Sequence, residues 1–235
     1  SVVMSSFSCW GPSDDGRIKP DVVGAGVGIF SSISGSDNAY GSMNGTSMAT
    51  PNVAGSLILL QQHYKNLNSG NFMKAATLKG LTIHTADEAG GSPGPDYQFG
   101  WGLVNVKKAA ETITNNGTTA TIQEKTLVNG TSHTLNVTAL GSNPIEITIC
   151  WTDPKGTPAS GGVVNPTTKM LVNDLDVRVW QGTNYYMPWI LDPANPSSPA
   201  TKGDNVRDNV EKIIIDAPII GQVYSVEIYH KGTLT

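Results

Sequence analysis

Hydrophobic positions change their period part-way along the chain. In residues 47–64 the apolar side chains Val53, Ala54, Leu57, Ile58, Leu59 and Leu60 run nearly all the way round a helix, which predicts a buried one. Ser47 and Thr50 open it, and Pro51 is expected in its first turn, where a missing N–H costs little. A second helix is predicted over residues 72–86, with Ala75, Leu78 and Leu81 on one side, and a third over 104–114. Val22-Val23 and Gly28-Ile29-Phe30 read as short strands. After the break Thr-Asn-Asn-Gly-Thr at 114–118 the period becomes two. Leu135, Val137 and Ala139 share one face, as do Ile145, Ile147, Ile149 and Trp151, then Leu175, Val177 and Val179, then Tyr224, Val226 and Ile228. Turn clusters at 140–144, 153–156 and 192–196 separate these segments. Short alternating strands between such turns predict an antiparallel sandwich. The expected division is therefore residues 1–114 and residues 115–235, as one or two domains within 235 residues.

Composition narrows the functional classes. Acidic residues number 19 and basic residues 15, a net charge of −4, which argues against a nucleic-acid binder relying on a basic field. Only 14% of residues are charged, and 26 glycines with 14 prolines indicate a loop-rich, short-strand protein. No apolar run is long enough to span a membrane; the richest stretch, at 53–60, is interrupted by Gly55 and Ser56. Cys9 and Cys150 are too few for a disulfide scaffold and wrongly arranged for zinc. Sequence leaves a long-range disulfide open beside the expectation of two buried thiols. The chain starts at Ser1 without an initiator Met or a signal h-region, so an excised piece of a longer protein is expected.

The densest chemistry lies at 40–55, Tyr-Gly-Ser-Met-Asn-Gly-Thr-Ser-Met-Ala-Thr-Pro-Asn-Val-Ala-Gly. A serine at the start of a buried helix sits where the helix dipole and unpaired first-turn N–H groups favour negative charge. An oxyanion forming beside Ser47 would be held by the Ser47 N–H, and flanking glycines let the backbone turn sharply. An ordinary helix cap formed by Ser47 or Thr46 is the simpler alternative.

The wider word decides between them. Gly-Thr-Ser-Met-Ala-x-Pro followed by Val-Ala-Gly resembles the serine signature of subtilisin-like proteases. Ser6-Phe7-Ser8-Cys9-Trp10-Gly11-Pro12 is similar to the family's Ser-Phe-Ser-Ser-x-Gly-Pro segment. Lys19-Pro20-Asp21-Val22 is similar to its Lys-Pro-Asp-Val strand, and Gly100-Trp101-Gly102-Leu103-Val104-Asn105 to its closing Gly-x-Gly-x-x-Asn turn. The resemblance covers residues 1–114. It implies a partial subtilisin-like α/β catalytic domain with Ser47 as nucleophile and Met43, Asn44, Gly45 and Thr46 bordering the substrate cleft. The chain departs from the family in having Gly24-Ala25-Gly26 where Ala-Pro-Gly is usual, and Asn52 where a His is usual. A larger departure concerns the triad, whose family order is Asp, His, Ser. His63, His84, His133 and His230 all follow Ser47, and no Asn upstream of Tyr40 fits the oxyanion position. The resemblance therefore implies the C-terminal piece of a longer protease, carrying the nucleophile without its acid, base or oxyanion Asn, and inactive alone.

Residues 115–235 resemble the jelly-roll-like, all-β sandwich that follows the catalytic domain in some large bacterial subtilases, through Trp151-Thr152-Asp153-Pro154, Leu171-Val172-Asn173-Asp174-Leu175-Asp176-Val177 and Asp208-Asn209-Val210-Glu211-Lys212. Asp174 and Asp176 share the face opposite Leu175 and Val177. With Asp153 and Asp208 they could supply carboxylates to a structural calcium ion, which wants six to eight oxygens; a solvated strand face or turn-bracing carboxylates explain the same residues. Trp180, Tyr185, Tyr186 and Trp189 could form a sugar- or peptide-binding patch or serve as packing. Sequons at Asn44, Asn116, Asn129 and Asn136 arise easily in so Asn- and Thr-rich a chain.

The resulting expectation is a secreted or cell-surface serine endopeptidase acting on proteins or peptides, partnered by the missing N-terminal part of the same protease, with no nucleic-acid partner and no cofactor needed for the chemistry. Two alternatives stand beside it. One is a non-catalytic pseudo-protease or adhesion fragment whose sandwich binds. The other is an α/β-hydrolase, in which Gly45-x-Ser47-x-Ala49 would be the nucleophile elbow, and Asp87 or Asp96 with His133 would complete the triad.

Overall fold

A computed structural model describes residues 2–161, 163–164 and 166–235. Three helices lie in the first part of the chain: α1 (Thr46–Leu67), α2 (Ala75–Thr85) and α3 (Val106–Thr114). Strands β1 (Ile29–Ser32) and β2 (Tyr40–Met43) pair antiparallel just before α1. The Val22-Val23 segment forms only an isolated parallel bridge, Val23 to Leu103, rather than a strand. A parallel strand needs extended neighbours on its edges, and the described residues supply only this one contact.

α1 begins at Thr46, so Pro51 is its sixth residue and lies beyond the first turn. It cannot donate to the Ser47 carbonyl one turn back, so a helix interior, not a free-donor position, accommodates the ring. The expectation that α1 is buried all round also fails. Leu57, Leu60 and Tyr64 face inward with Met73, Leu81, Ala109 and Ile113, whereas Ile58 and Leu59 are 69% and 67% exposed. Their apolar surface has no covering element among the described residues. α3 starts at Asn105, whose side chain accepts from the Lys108 N–H at 2.8 Å, capping a helix that buries Ala109 and Ile113.

The second part holds a four-stranded antiparallel sheet and a two-stranded one. The larger has the order β3 (His133–Thr138), β10 (Val223–Lys231), β5 (Asp174–Gln181), β6 (Asn184–Tyr186); the smaller pairs β4 (Ile145–Cys150) with β9 (Val210–Ile215). A short pair, β7 (Trp189–Ile190) and β8 (Thr201–Lys202), lies beside them. Register places Val226 opposite both Leu135 and Val179, and Ile228 opposite Val177, so period-two residues of neighbouring strands meet on one face. Those residues join Ile213 and Ile215 of the smaller sheet in one core, which both sheets therefore share.

The two parts of the chain also share a core. Ile18, Ile83 and Trp101 from the first are buried together with Val210 from the second, and Cys150, Trp189 and Leu191 pack against them. A Cβ on Gly80 of α2 would lie 2.9 Å from the Cβ of Cys150, so helix and strand β4 approach as closely as a glycine permits. Polar groups cross the same boundary. The Ile18 N–H donates to Asp208 at 2.8 Å, Lys212 Nζ to the His84 carbonyl at 2.8 Å, and His84 Nδ1 meets Thr148 Oγ1 at 3.0 Å. Both cysteines are free thiols. Cys9 is exposed rather than buried, and burial pushes the Cys150 thiol up to about 11.

Candidate active site

Ser47 is the second residue of α1 and is exposed, so its N–H is one of the first-turn donors without an intrahelical partner. Backbone packing fixes the entry of the chain into this turn. The Gly45 N–H donates to the Gly26 carbonyl at 2.8 Å, and the Gly28 N–H donates to Asn44 Oδ1 at 2.6 Å. A side chain on Gly24 would meet Val53 Cγ2 at 2.6 Å, and one on Gly26 would meet the Gly45 carbonyl oxygen at 2.8 Å. The Gly24-Ala25-Gly26 segment thus lies flat against the first turns of α1, which accounts for two small residues where the family pattern has Ala and Gly.

A cleft of about 280 Å³ opens beside Ser47, between the β1–β2 hairpin and the first turns of α1. Met43 lines it together with Phe30, Ile33, Met48, Pro51 and Asn52. The structure therefore brings Met43 and Ser47 to one cavity; Asn44, Gly45 and Thr46 form the connection behind it and do not line it. Phe30 and Tyr40 stack across the hairpin at 5.8 Å between ring centroids and are largely exposed, so the cleft has one aromatic rim.

No histidine lines this cleft. His63 lies sixteen residues along α1 from Ser47, about 24 Å at 1.5 Å per residue, and meets Thr114 Oγ1 at 2.9 Å. His84 faces β4 and β9, and burial, with help from the Lys212 charge, lowers it to about 4. His133 lies in β3, and His230 Nε2 accepts from the Gly130 N–H at 2.7 Å. The residues of the hydrolase alternative are not assembled either. Both oxygens of Asp87 accept from Asn105 Nδ2 at 3.0 Å, and Asp96 Oδ1 accepts from the N–H groups of Gln98 and Phe99. Neither aspartate lines the Ser47 cleft or bonds to His133. What the site can supply by itself is a nucleophile and at least one oxyanion donor.

The acidic residues expected to hold calcium are dispersed. Asp153 accepts from the N–H groups of Val172 and Asn173 at 2.7 and 2.8 Å, which makes it a turn brace. Asp208 accepts from Ile18 and, at 3.1 Å, from Asn205 Nδ2; burial raises its pKa. Asp174 pairs with Lys231 at 3.7 Å. Only Asp176 enters a group of carboxylates, with Asp204 and Glu211, whose ligand atoms lie within 4.8 Å of one another. Asp204 is among the oxygen donors the sequence offers beside Asp174 and Asp176, whereas Glu211 is not, because it comes from β9, thirty-five residues from Asp176. The spacing could hold a metal ion. Arg178 nevertheless bonds to Asp176, reaches Asp204 at 2.7 Å and pairs with Glu211 at 3.5 Å, and Lys231 meets Asp176 at 3.0 Å and Asp204 at 2.5 Å. Burial lifts Glu211 to about 8 and Asp176 to about 6, so the group does not hold its full negative charge near neutrality.

The four aromatic residues do not make one patch. Trp180 and Tyr185 are exposed and packed at 4.2 Å, Tyr186 leans on buried Tyr224, and Trp189 sits at the boundary between the two parts.

The geometry places an exposed serine at a glycine-bound helix start, beside a hairpin-walled cleft. Residues 1–102 match the model of the subtilase family, so this part of the chain is similar to subtilisin-like serine peptidases. Pyrolysin of Pyrococcus furiosus is 38% identical over 126 residues, covering 52% of this chain and 9% of the relative. C5a peptidase of Streptococcus pyogenes serotype M6 is 35% identical over 156 residues, 60% of this chain and 12% of the relative, and PII-type proteinase of Lacticaseibacillus paracasei is 33% identical over 130 residues, 49% and 7%. The chain thus spans about a tenth of the length of these relatives.

Proposed function

We propose that this chain contributes the nucleophile and the sandwich to a subtilisin-like endopeptidase that cleaves proteins or peptides. Ser47 Oγ attacks the scissile carbonyl, the Ser47 N–H with the positive end of α1 stabilises the oxyanion, and the hairpin bearing Met43 borders the substrate with Asn44, Gly45 and Thr46 shaping the turn behind it. The acid, the base and the oxyanion Asn come from another part of the protease. That part seats on the outward face of α1, where Ile58 and Leu59 otherwise stay in water. The observation carrying this reading is the position of exposed Ser47 on a cleft that no histidine lines.

In this reading residues 1–114 and 115–235 are a catalytic portion and a jelly-roll-like sandwich, and the enzyme works outside the cell or on its surface. No helix among the described residues is long and apolar enough to cross a membrane. Among the described residues, the group that could offer a structural calcium site is Asp176, Asp204 and Glu211, where Arg178 and Lys231 already occupy the carboxylates, and the ion is not needed for the chemistry.

Labelling by a fluorophosphonate tests the proposal. The 235-residue chain alone should label at background, because loss of triad partners removes several orders of magnitude of reactivity. A longer protease containing this chain should label, and Ser47→Ala should abolish the signal. Strong labelling of Ser47 in the isolated chain would place a base within it. Absence of Ser47 labelling in the longer protease would favour the non-catalytic alternative.

A further inference from the structure

A second cavity, of about 190 Å³, lies where the two parts of the chain meet, and shares no residue with the Ser47 cleft. Its walls include Trp101, Trp189, Pro95 and Ile214, and Lys108, Lys212 and Glu146 stand at its charged side. Trp101 is 7% exposed, and its Nε1–H is buried without a hydrogen-bond partner; the Nε1–H of Trp189 is in the same condition. Two orphaned indole donors on one small cavity are unusual, because buried Trp N–H groups ordinarily find acceptors.

The acceptors nearby are already engaged. Glu146 takes Lys108 at 3.2 Å on Oε1 and Lys212 at 2.9 Å on Oε2. Glu88 takes the Ala89 and Gly94 N–H groups, one on each oxygen, and Asp87 holds Asn105 with both of its own. Each ammonium carries three donors, so Lys212, bonded to Glu146 and the His84 carbonyl, keeps one, and Lys108 keeps two. Lys202, outside the lining, places its Nζ 3.2 Å from the centre of the Trp189 ring. The lining sets Lys108 and Lys212 against the already engaged Asp87, Glu88 and Glu146, so what the cavity holds in surplus is hydrogen-bond donors, beside ring, proline and isoleucine surface.

We propose that this junction cavity binds a small carboxylate bearing a short apolar group, its oxygens taking the indole donors and its tail lying against Pro95 and Ile214. The same chemistry is offered by a free short-chain acid and by the C-terminus of a peptide, and it does not rest on the peptidase reading of Ser47.

The test uses the 235-residue chain labelled with 15N, whose five tryptophan indole signals are assigned through Trp→Phe variants. It is titrated with propionate, with propionamide, and with Ala-Ala-Ala bearing either a free or an amidated C-terminus. Propionate should move the Trp101 and Trp189 indole signals saturably and leave those of Trp10, Trp151 and Trp180 in place. Tighter binding of the free-ended peptide than of propionate identifies a chain terminus as the ligand; binding of propionate alone identifies a free acid. Lys108→Met, at the half-exposed rim, should weaken binding by roughly tenfold, the scale of one charge-assisted hydrogen bond. Trp101→Phe keeps the ring, removes a donor and should weaken it too; if that variant does not fold, Lys108→Met carries the test. Equal response to propionate and propionamide, a response unchanged by Lys108→Met, or no saturable movement of the two indole signals with any probe would overturn the assignment.

Discussion

Replacing Ile83 by alanine tests whether the helices and the sandwich are held by one core. Ile83 is 1% exposed and packs with Ile18 and Trp101 on its own side and with Val210 of β9 on the other. The substitution removes three carbons, about 2.4 kcal/mol at ~0.8 kcal/mol per methylene, before any cavity penalty. The walls have little freedom to collapse. Gly80 already touches Cys150, and the Lys212–His84 bond ties the end of α2 to β9. A total of about 3–4 kcal/mol follows, within the range for large-to-small core changes. For a chain of this length that is a fall in Tm of roughly 6–16 °C. The assay is thermal unfolding followed at once by the far-ultraviolet helix signal and by the exposure of Cys150 to a thiol reagent. Both should move down together as a single transition. A helix signal that shifts while Cys150, in β4, stays protected to the original temperature would refute the shared-core argument and restore an independently melting sandwich.

Glu211→Gln bears on pH dependence. The folded chain keeps the Glu211 proton up to about pH 8, whereas the usual glutamate loses it near 4.5, so folding stability falls as pH rises through that interval. The glutamine should flatten the fall, by up to about 1.4 kcal/mol per pH unit, and urea melts at pH 6 and 8 measure it. His84 acts in the opposite sense. Held near 4 instead of 6.5, it makes stability drop as pH falls through that range, and His84→Asn should lessen the acid loss seen in the same melts. Gly100→Ala should destabilise by several kcal/mol or prevent folding, because the residue has φ +62° and a Cβ there would lie 2.0 Å from the Pro20 carbonyl oxygen; chemical denaturation of any soluble product reads this out. Melting curves in millimolar calcium and in chelator should superimpose while Arg178 and Lys231 hold Asp176 and Asp204; a rise of several degrees with calcium would show the ion displacing them.

Local periodicity carried the helices and the β region well. The spacing of Ala75, Leu78 and Leu81 marks α2, and the alternation through Val177, Val179, Val226 and Ile228 marks strands that line the core shared by the two sheets, because both patterns record which side of an element is dry. Outward placement of Ile58 and Leu59 was illegible for the same reason: the pattern reports that a residue suits burial, not which element covers it. Ser47 stands out in the sequence because its glycines and helix start lie within one short word, and the structure puts it on the cleft with Met43. The Asp176–Asp204–Glu211 group does not stand out, since its members are gathered by tertiary contacts across separated segments. Trp101 and Trp189 likewise gave no sign in the sequence that their indoles would line one cavity.

The mixed core around Ile83 bears on how such a protein can be altered by exchange of parts. A joint placed near residue 115 looks like the natural point at which to swap one sandwich for another. Ile18, Ile83 and Trp101 are shaped to Val210, and the Ile18 N–H to Asp208, so a foreign sandwich brings a foreign seal. Substitutions on the two sides must then change in concert, and a working chimaera would have to carry the face of β9 and the 205–208 loop along with the helices they close.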